Sequence, residues 1–546
     1  MLILVLLLAT LGHLHYANVT IDDAFISFRY AENLVRGHGL VFNEGERVEG
    51  YSNFLWTLLL AVPIWLGVDR VELGMLVTAK ALGALLNLGT LVLLWKTTAL
   101  GRPKERPSAL APLYLASLAP LLIWAVSGLE TSLVTLLIFG TLHLHIREEL
   151  AFRDGREQLP WSFLVLALAA LTRPEPAVLL VPLVALRLSA RFRGDSKWRQ
   201  MRREVVRVGW FALPYGAFLL WRIGYYGELL PNTYYAKMHD DPEVLARGWR
   251  YLTGAFRDLA WGWPGACAGL ALLGVRGRVP HRVLATSAFL LTLLAVVWWE
   301  GGDWMPARRT LVPALPLVAL LMHEVWRACG EAHPTHLALR RMPSWVAPPN
   351  WIDQWNRAVD QVSTRPNLVR TLRFVARATF VGALAVSARS SHSALHMQAV
   401  SGLRANQLGT GLHFEVASWM QRELPRPGLL ALGEAGVIPY LTKFPVLDLF
   451  GLTDPHIARQ HGRLHTKFDA DYVLRRDPAY VFLVAHPSGQ GSWFSDHYHA
   501  TVLLEDARFA QRYTELQRFD GGVLFARADL VPSSDVPRED EQRATK

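Results

Sequence analysis

Up to about residue 388 the apolar residues of this chain gather in long runs separated by short charged stretches, and beyond that point they gather in short runs. The long runs lie at 2–16, 73–95, 108–126, 130–146, 161–172, 176–188, 207–223, 263–275, 283–299, 310–327 and 370–388. They predict membrane-spanning helices, about eleven of them. A further run, FLWTLLLAVPIWLG at 54–67, contains Pro63 and falls short of the ~20 residues a span needs. It is predicted to lie in the interface with its tryptophans as anchors. The short runs GLLALG (428–433), PVLDLFG (445–451), AYVFLVA (479–485) and GGVLFARA (521–528) predict strands, whereas EAGVIPYL (434–441) and TVLLEDARFAQRY (501–513) predict helices. The expected fold class is an α-helical polytopic membrane protein with a C-terminal external α/β domain. Its expected divisions are a membrane domain over 1–388 with a first external loop at 17–72, the α/β domain over 389–530, and a disordered tail over 531–546.

Basic residues orient the bundle. With 54–67 in the interface, Lys96, Arg102, Lys104 and Arg106, then Arg147, Arg153 and Arg156, then RLSARFRGDSKWRQMRR (187–203), RGRVPHR (276–282) and Arg340 with Arg341 all fall on one side. The positive-inside rule makes that side cytoplasmic, with the N-terminus inside and the C-terminal domain outside an inner membrane. Composition agrees: 51% of the residues are hydrophobic and 20 are tryptophan. The formal charge of +10 is read as topology, and no nucleic-acid partner is expected. Cys267 and Cys329 offer neither a disulfide framework nor a CxxC site. Residues 1–16 lack a basic n-region and an A-x-A cleavage site, so a short, uncleaved first span is expected, and the true start is expected to lie further upstream.

This topology places TIDDAFISFRYAENLVRGHGLVFNEGERVEGYSNFLW (20–56), SGLET (127–131), TRPEP (172–176), GELLPNTYYAK (227–237) and EGGDWMPARR (300–309) on one external face. In the first of these, Thr20 with Asp23 reads as a loose capping box, and Gly37 and Gly39 as the end of the helix. The short runs around TRPEP would sink Arg173 and Glu175 below the membrane surface, where charges face a cavity or one another. Transfer of a sugar from a polyprenyl phosphate needs a base for the acceptor hydroxyl and cations for the departing phosphate. Asp22 or Asp23 is the candidate base; Arg173, Lys237, Arg308 and Arg309 are the candidate phosphate ligands. Arg29, Glu49, Glu130, Glu175, Asn232, Tyr235, Asp303 and Trp304 are candidates for the sugar and acceptor pocket. In the C-terminal domain Glu434, Asp448, Asp454 and His456 fall at strand ends, where α/β folds place ligands, and Asp454 and His456 join the glycan contacts. A divalent cation (Mg, Mn or Ca) would sit at Asp22 or Asp23 if one is used, although no metal-ligand spacing requires it.

DDAFISFRYAENLVRGHGLVFNEGERVEGYSNFLW, SGLET, LTRPE, YGELLPNTYYAK, GGDWMPARR and LDLFGLTDPHIA together resemble the membrane arabinofuranosyltransferases that add terminal arabinofuranose in mycobacterial cell walls, and their relatives in other bacteria. The resemblance implies a GT-C bundle with juxtamembrane helices in its first external loop, an external domain, and catalysis at the outer leaflet on a polyprenyl-phosphate sugar. It implies a catalytic acid in that loop, which falls on Asp22 or Asp23, and an external glycan or protein acceptor besides membrane lipid. The short first span and the acidic tail depart from it. Two rival functions share many of these features: a carrier or flippase for lipid-linked sugars, and a glycan-binding membrane protein without catalysis.

Overall fold

The computed structural model describes the chain apart from residues 72, 103, 192–196, 239–240, 260–279, 332–380, 383, 394–409, 425–426, 464, 488–492 and 532–546. Two compact units emerge, each discontinuous in sequence. One comprises Met1–Val19, Val77–Trp221 and Glu243–Leu403; the other comprises Thr20–Leu76, Arg222–Pro242 and Arg404–Lys546.

The first unit is helical. Its helices include Leu2–His15, Thr131–Arg153, Trp161–Thr172, Leu180–Arg191, Val244–Asp258, His281–Trp299 and Leu315–Glu331, together with most of Gly74–Thr98 and Lys197–Tyr226. Leu213, Leu220, Val181 and Leu291 stand outward and exposed, as leucine-rich helices do when lipid is the solvent on that side. Among the described residues Gly74–Thr98 and His281–Trp299 have the length and hydropathy to cross a membrane unaided. The expected count of about eleven is therefore not reached by that measure, and several boundaries move. The run 108–126 is two helices, Leu110–Ala116 and Ala119–Ala125. They break where the Ser117 hydroxyl donates to the Tyr114 carbonyl at 2.6 Å and Pro120 supplies no N–H. The run 176–188 opens with a 3-10 turn at Glu175–Leu179, and 310–327 opens with one at Arg309–Ala314. Most of the basic stretch 187–203, expected as a loop, belongs to helices, and Arg187 is buried between Glu148 (2.5 Å) and Glu204 (2.9 Å). The predicted span 263–275, the first part of 370–388 and the predicted disordered tail lie outside the described residues.

The second unit is built on a five-stranded sheet. Strands β1 (Leu430–Leu432), β2 (Val446–Asp448), β3 (Tyr480–Leu483), β6 (Tyr513–Phe519) and β7 (Gly522–Arg527) lie in the order β2-β1-β3-β7-β6. The first three are parallel, and β7 and β6 run antiparallel. A separate pair, β4 (His486–Pro487) and β5 (Trp493–Phe494), forms a short hairpin. Alternation distributes the side chains: Leu430, Leu432, Phe482 and Leu524 enter one core, while Ala431, Val481, Leu483 and Val523 enter the other. The first core also takes Ile26, Tyr30, Leu40, Phe42 and Tyr51 from the opening loop and Tyr226 from the middle segment. The helix predicted over 501–513 is two short helices, Tyr498–Glu505 and Ala507–Arg512, and the chain then turns directly into β6, which the apolar pattern did not announce.

Candidate active site

In the first unit a small cavity of about 50 Å³ is lined by Thr131, Arg173, Glu175, Glu300, Arg309 and Thr310 against a wall of Val134, Ile138, Leu293, Val296 and Val297. Arg173 ends the Trp161–Thr172 helix because Pro174 follows it, and a residue before proline is driven from the helical to the extended region, here φ −152°. Its guanidinium donates to Glu130 Oε1 at 2.9 Å and to Glu175 Oε1 at 2.5 Å. Arg309 is set by a turn with left-handed backbone at Gly301, Gly302, Ala307 and Arg308. For the two non-glycine residues that conformation costs ~1–2 kcal/mol each, a strain that persists only where the surroundings hold it. The Trp124 indole does so, donating to the Ala307 carbonyl at 3.0 Å. Arg309 then donates to Asp303 Oδ2 at 2.6 Å and lies over Trp124. Arg308 pairs instead with Asp258 at 2.7 Å, and it is not among the residues lining the cavity.

SGLET, TRPEP and EGGDWMPARR thus meet in one unit, joining Glu130, Arg173, Glu175, Asp303 and Arg309 from the sequence-derived set. Glu300, Thr131 and Thr310 are additions; all three lie within or beside the quoted motifs, and their place in the lining was the missing information. Guanidiniums can grip phosphate oxygens in pairs, and the carboxylates can accept from sugar hydroxyls.

Asp22, Asp23 and Lys237 belong to the second unit. The expected capping box does not form there. Asp22 is the N-cap of the Asp23–Val35 helix, yet its carboxylate makes no cap bond, and among the described residues the buried Thr20 hydroxyl has no hydrogen-bond partner. Asp22 Oδ1 instead accepts from the Val437 N–H at 2.9 Å and from His413 Nδ1 at 3.1 Å. Gly436 makes this possible, since a Cβ there would overlap both the Asp22 carbonyl and its carboxylate. Burial acts to lower the His413 pKa, but the Asp22 hydrogen bond and the charges of Asp22 and Glu434 outweigh it and raise it. Nothing in the sequence singled out His413; its signal is visible only once the helix Leu412–Glu423 is packed.

Other expected ligands make contacts within this unit. Arg29 is buried, donates to the carbonyls of Phe42 (2.7 Å), Pro439 (2.9 Å) and Phe444 (2.9 Å), and lies 4.4 Å over the Phe42 ring. Asn232 donates to the carbonyls of Gly451 and Leu452. Asp454 caps the short helix Pro455–Ala458 and accepts from the Tyr472 hydroxyl, while His456 contacts Asp469 at 2.7 Å. Asp448 is held by the N–H groups of Phe450, Gly451 and Thr453. The Tyr235 hydroxyl donates to Glu228, and its ring carries the Arg459 guanidinium. Glu49 is buried beside Arg222; burial pushes its carboxyl up to about 8, with Arg222 acting in the other direction. Trp304, in the first unit, is exposed. Among the described residues no three carboxylate, histidine or cysteine side chains are grouped to hold a metal ion.

Residues 398–532 match a family described as Domain of unknown function (DUF8728). The chain is 32% identical over 331 residues to a terminal beta-(1->2)-arabinofuranosyltransferase of Mycobacterium tuberculosis, a match that covers 55% of this chain and 51% of that protein. It is 29% identical over 350 residues to the enzyme of the same name from Corynebacterium glutamicum, covering 55% and 47%. The chain therefore spans about half the length of the curated relatives it matches. Among solved structures it is similar to ArnT from Cupriavidus metallidurans bound to undecaprenyl phosphate, with TM-score 0.58 at 14% identity over 98% of this chain and 99% of that one. It is also similar to the archaeal oligosaccharyltransferase AglB from Archaeoglobus fulgidus, with TM-score 0.51 at 10% identity over 88% and 69%. The chain is a multi-pass α-helical membrane protein of GT-C-like fold with a β-containing domain.

Proposed function

We propose that this protein transfers a sugar from a polyprenyl-phosphate donor to a hydroxyl group of an external glycan or protein. The observation that carries the reading is the sequence match to named arabinofuranosyltransferases, which makes arabinofuranose the sugar to test first. The fold likeness to a protein bound to undecaprenyl phosphate supports the donor class. Arg173 and Arg309 line the cavity of the first unit and are the residues proposed to take the donor phosphate, with Glu175 and Glu300 receiving sugar hydroxyls. Asp22 is proposed as the base, with Asp23 as its neighbour on the helix and Arg308 and Lys237 as supporting cations. In the reaction the acceptor oxygen bonds to the anomeric carbon, the bond from that carbon to the phosphate oxygen breaks, polyprenyl phosphate departs, and the hydroxyl proton passes to Asp22.

The test is incubation of the full chain, purified in lipid nanodiscs, with a panel of polyprenyl-phosphate sugars and cell-envelope acceptors. Mass spectrometry should find glycosylated acceptor and released polyprenyl phosphate in equal amounts, and Asp22→Asn or Arg173→Gln should lower both. Saccharide binding without release of polyprenyl phosphate, for every donor, would refute the reading.

A further inference from the structure

Within the second unit, both hydrogen bonds that described residues make to the Asp22 carboxylate fall on one oxygen. Oδ1 accepts from the Val437 N–H and from His413 Nδ1. The His413 ring is held in turn: it is buried at 4% exposure and meets the Phe482 ring edge-on, 6.4 Å between centroids at 90°. Gly436, having no Cβ, leaves the space that Oδ2 occupies. A backbone amide, a fixed imidazole and a deleted side chain therefore converge on the orientation of a single carboxylate. A carboxylate used only as a helix cap would direct an oxygen to the first-turn N–H groups of its own helix, and Asp22 does not.

Taking Asp22 as the base, which rests on the reading given above, we propose that His413 is a positioning residue of the transfer reaction. It holds the carboxylate by Oδ1 so that Oδ2 is the oxygen presented to the acceptor hydroxyl. Bases in enzymes are commonly fixed by a third group in this manner, and misplacement of a reacting atom by ~1 Å costs ~100-fold in rate. The charged groups that act on His413 are Asp22 and Glu434, both acidic, so the imidazole keeps its proton to higher pH than an isolated histidine.

The experiment compares the full chain with His413→Gln, His413→Ala and Asp22→Asn in nanodiscs, measuring kcat, KM for the lipid-linked donor, the pH profile of kcat, and folding by thermal melting. His413→Ala should lower kcat roughly 10- to 100-fold with KM for the donor changed by less than about twofold. His413→Gln, whose amide can still donate to Oδ1, should recover much of that loss. In the wild type kcat should change as pH rises through the raised His413 pKa, where the donor to Oδ1 passes from charged to neutral, and this basic limb should be missing from His413→Gln. If the alanine variant fails to fold, the glutamine variant carries the test through its pH profile. Wild-type kcat in a folded His413→Ala, or an unaltered basic limb in His413→Gln, overturns the assignment while leaving Asp22 in place. Wild-type turnover in Asp22→Asn overturns instead the reading on which the assignment rests.

Discussion

Addition of one methyl group, Gly436→Ala, interrogates the geometry around Asp22 without adding or removing a charge. The new Cβ would stand well inside van der Waals contact with the Asp22 carbonyl oxygen and with Oδ2. Non-bonded heavy atoms settle at about 3.5–4 Å, so the helix start at Asp22 or the loop at Gly436 must retreat by roughly 1 Å. Retreat of that size in a well-packed region costs ~1–3 kcal/mol of stability. It also moves the carboxylate by about the distance that costs ~100-fold in rate, or ~2.7 kcal/mol of barrier. The assay is steady-state transfer from a polyprenyl-phosphate sugar, paired with a thermal melt of the purified protein. The control is Gly216→Ala, since a Cβ at Gly216 meets nothing within 4 Å. Gly436→Ala should retain the fold, melt a few degrees lower and lose most of its turnover, while Gly216→Ala should behave as wild type. Wild-type turnover and melting in Gly436→Ala would refute both the contact and the role given to Asp22.

Two further outcomes concern residues of the same unit. Arg29→Met removes the guanidinium from three carbonyls, of which Phe42 O and Pro439 O keep second donors in Asn33 and the Lys443 N–H. The weakened Phe444 carbonyl and the lost contact over Phe42 should together cost roughly 2–4 kcal/mol, read as a lower melting temperature with KM for the donor unchanged; a raised KM in a stable variant would return Arg29 to the sugar pocket. Glu49, with a carboxyl pushed up to about 8, binds a proton in the folded protein that the unfolded chain releases near 4.5. Its contribution to stability is therefore complete at low pH and fades as pH rises toward and through 8, by up to ~1.4 kcal/mol per unit. Melting between about pH 6 and pH 9 should decline less steeply in Glu49→Gln than in the wild type, and parallel declines would sink this account.

The part of the cavity legible in the sequence was its charge. Arg173 and Glu175 sit between apolar runs too short to cross a membrane, and charges in that position require partners. Glu130 is such a partner for Arg173, and Asp303 is one for Arg309. What stayed hidden was geometry carried by backbone. The partners of Arg29 are the carbonyl oxygens of Phe42, Pro439 and Phe444, which leave no trace in side-chain identity. The motif that held Arg308 and Arg309 did not reveal that a left-handed turn sends them to different carboxylates. β6, YTELQRF, stayed concealed because it is an edge strand with a bulge between Glu515 and Gln517, so its polar residues do not alternate cleanly. The break at Ser117 was equally hidden within one continuous apolar run.

The bond between Asp22 and His413 joins residues 391 positions apart. At a synthesis rate of roughly 5–20 residues per second, Asp22 leaves the ribosome some 20–80 s before its partner exists. Throughout that interval the opening loop, with Ile26, Tyr30 and Phe42 still uncovered, has no sheet to fold upon. Biogenesis must therefore shelter an apolar segment until the strands of that sheet have been made. A chain arrested before Val437 would carry an Asp22 that can never be seated, however well its helices insert.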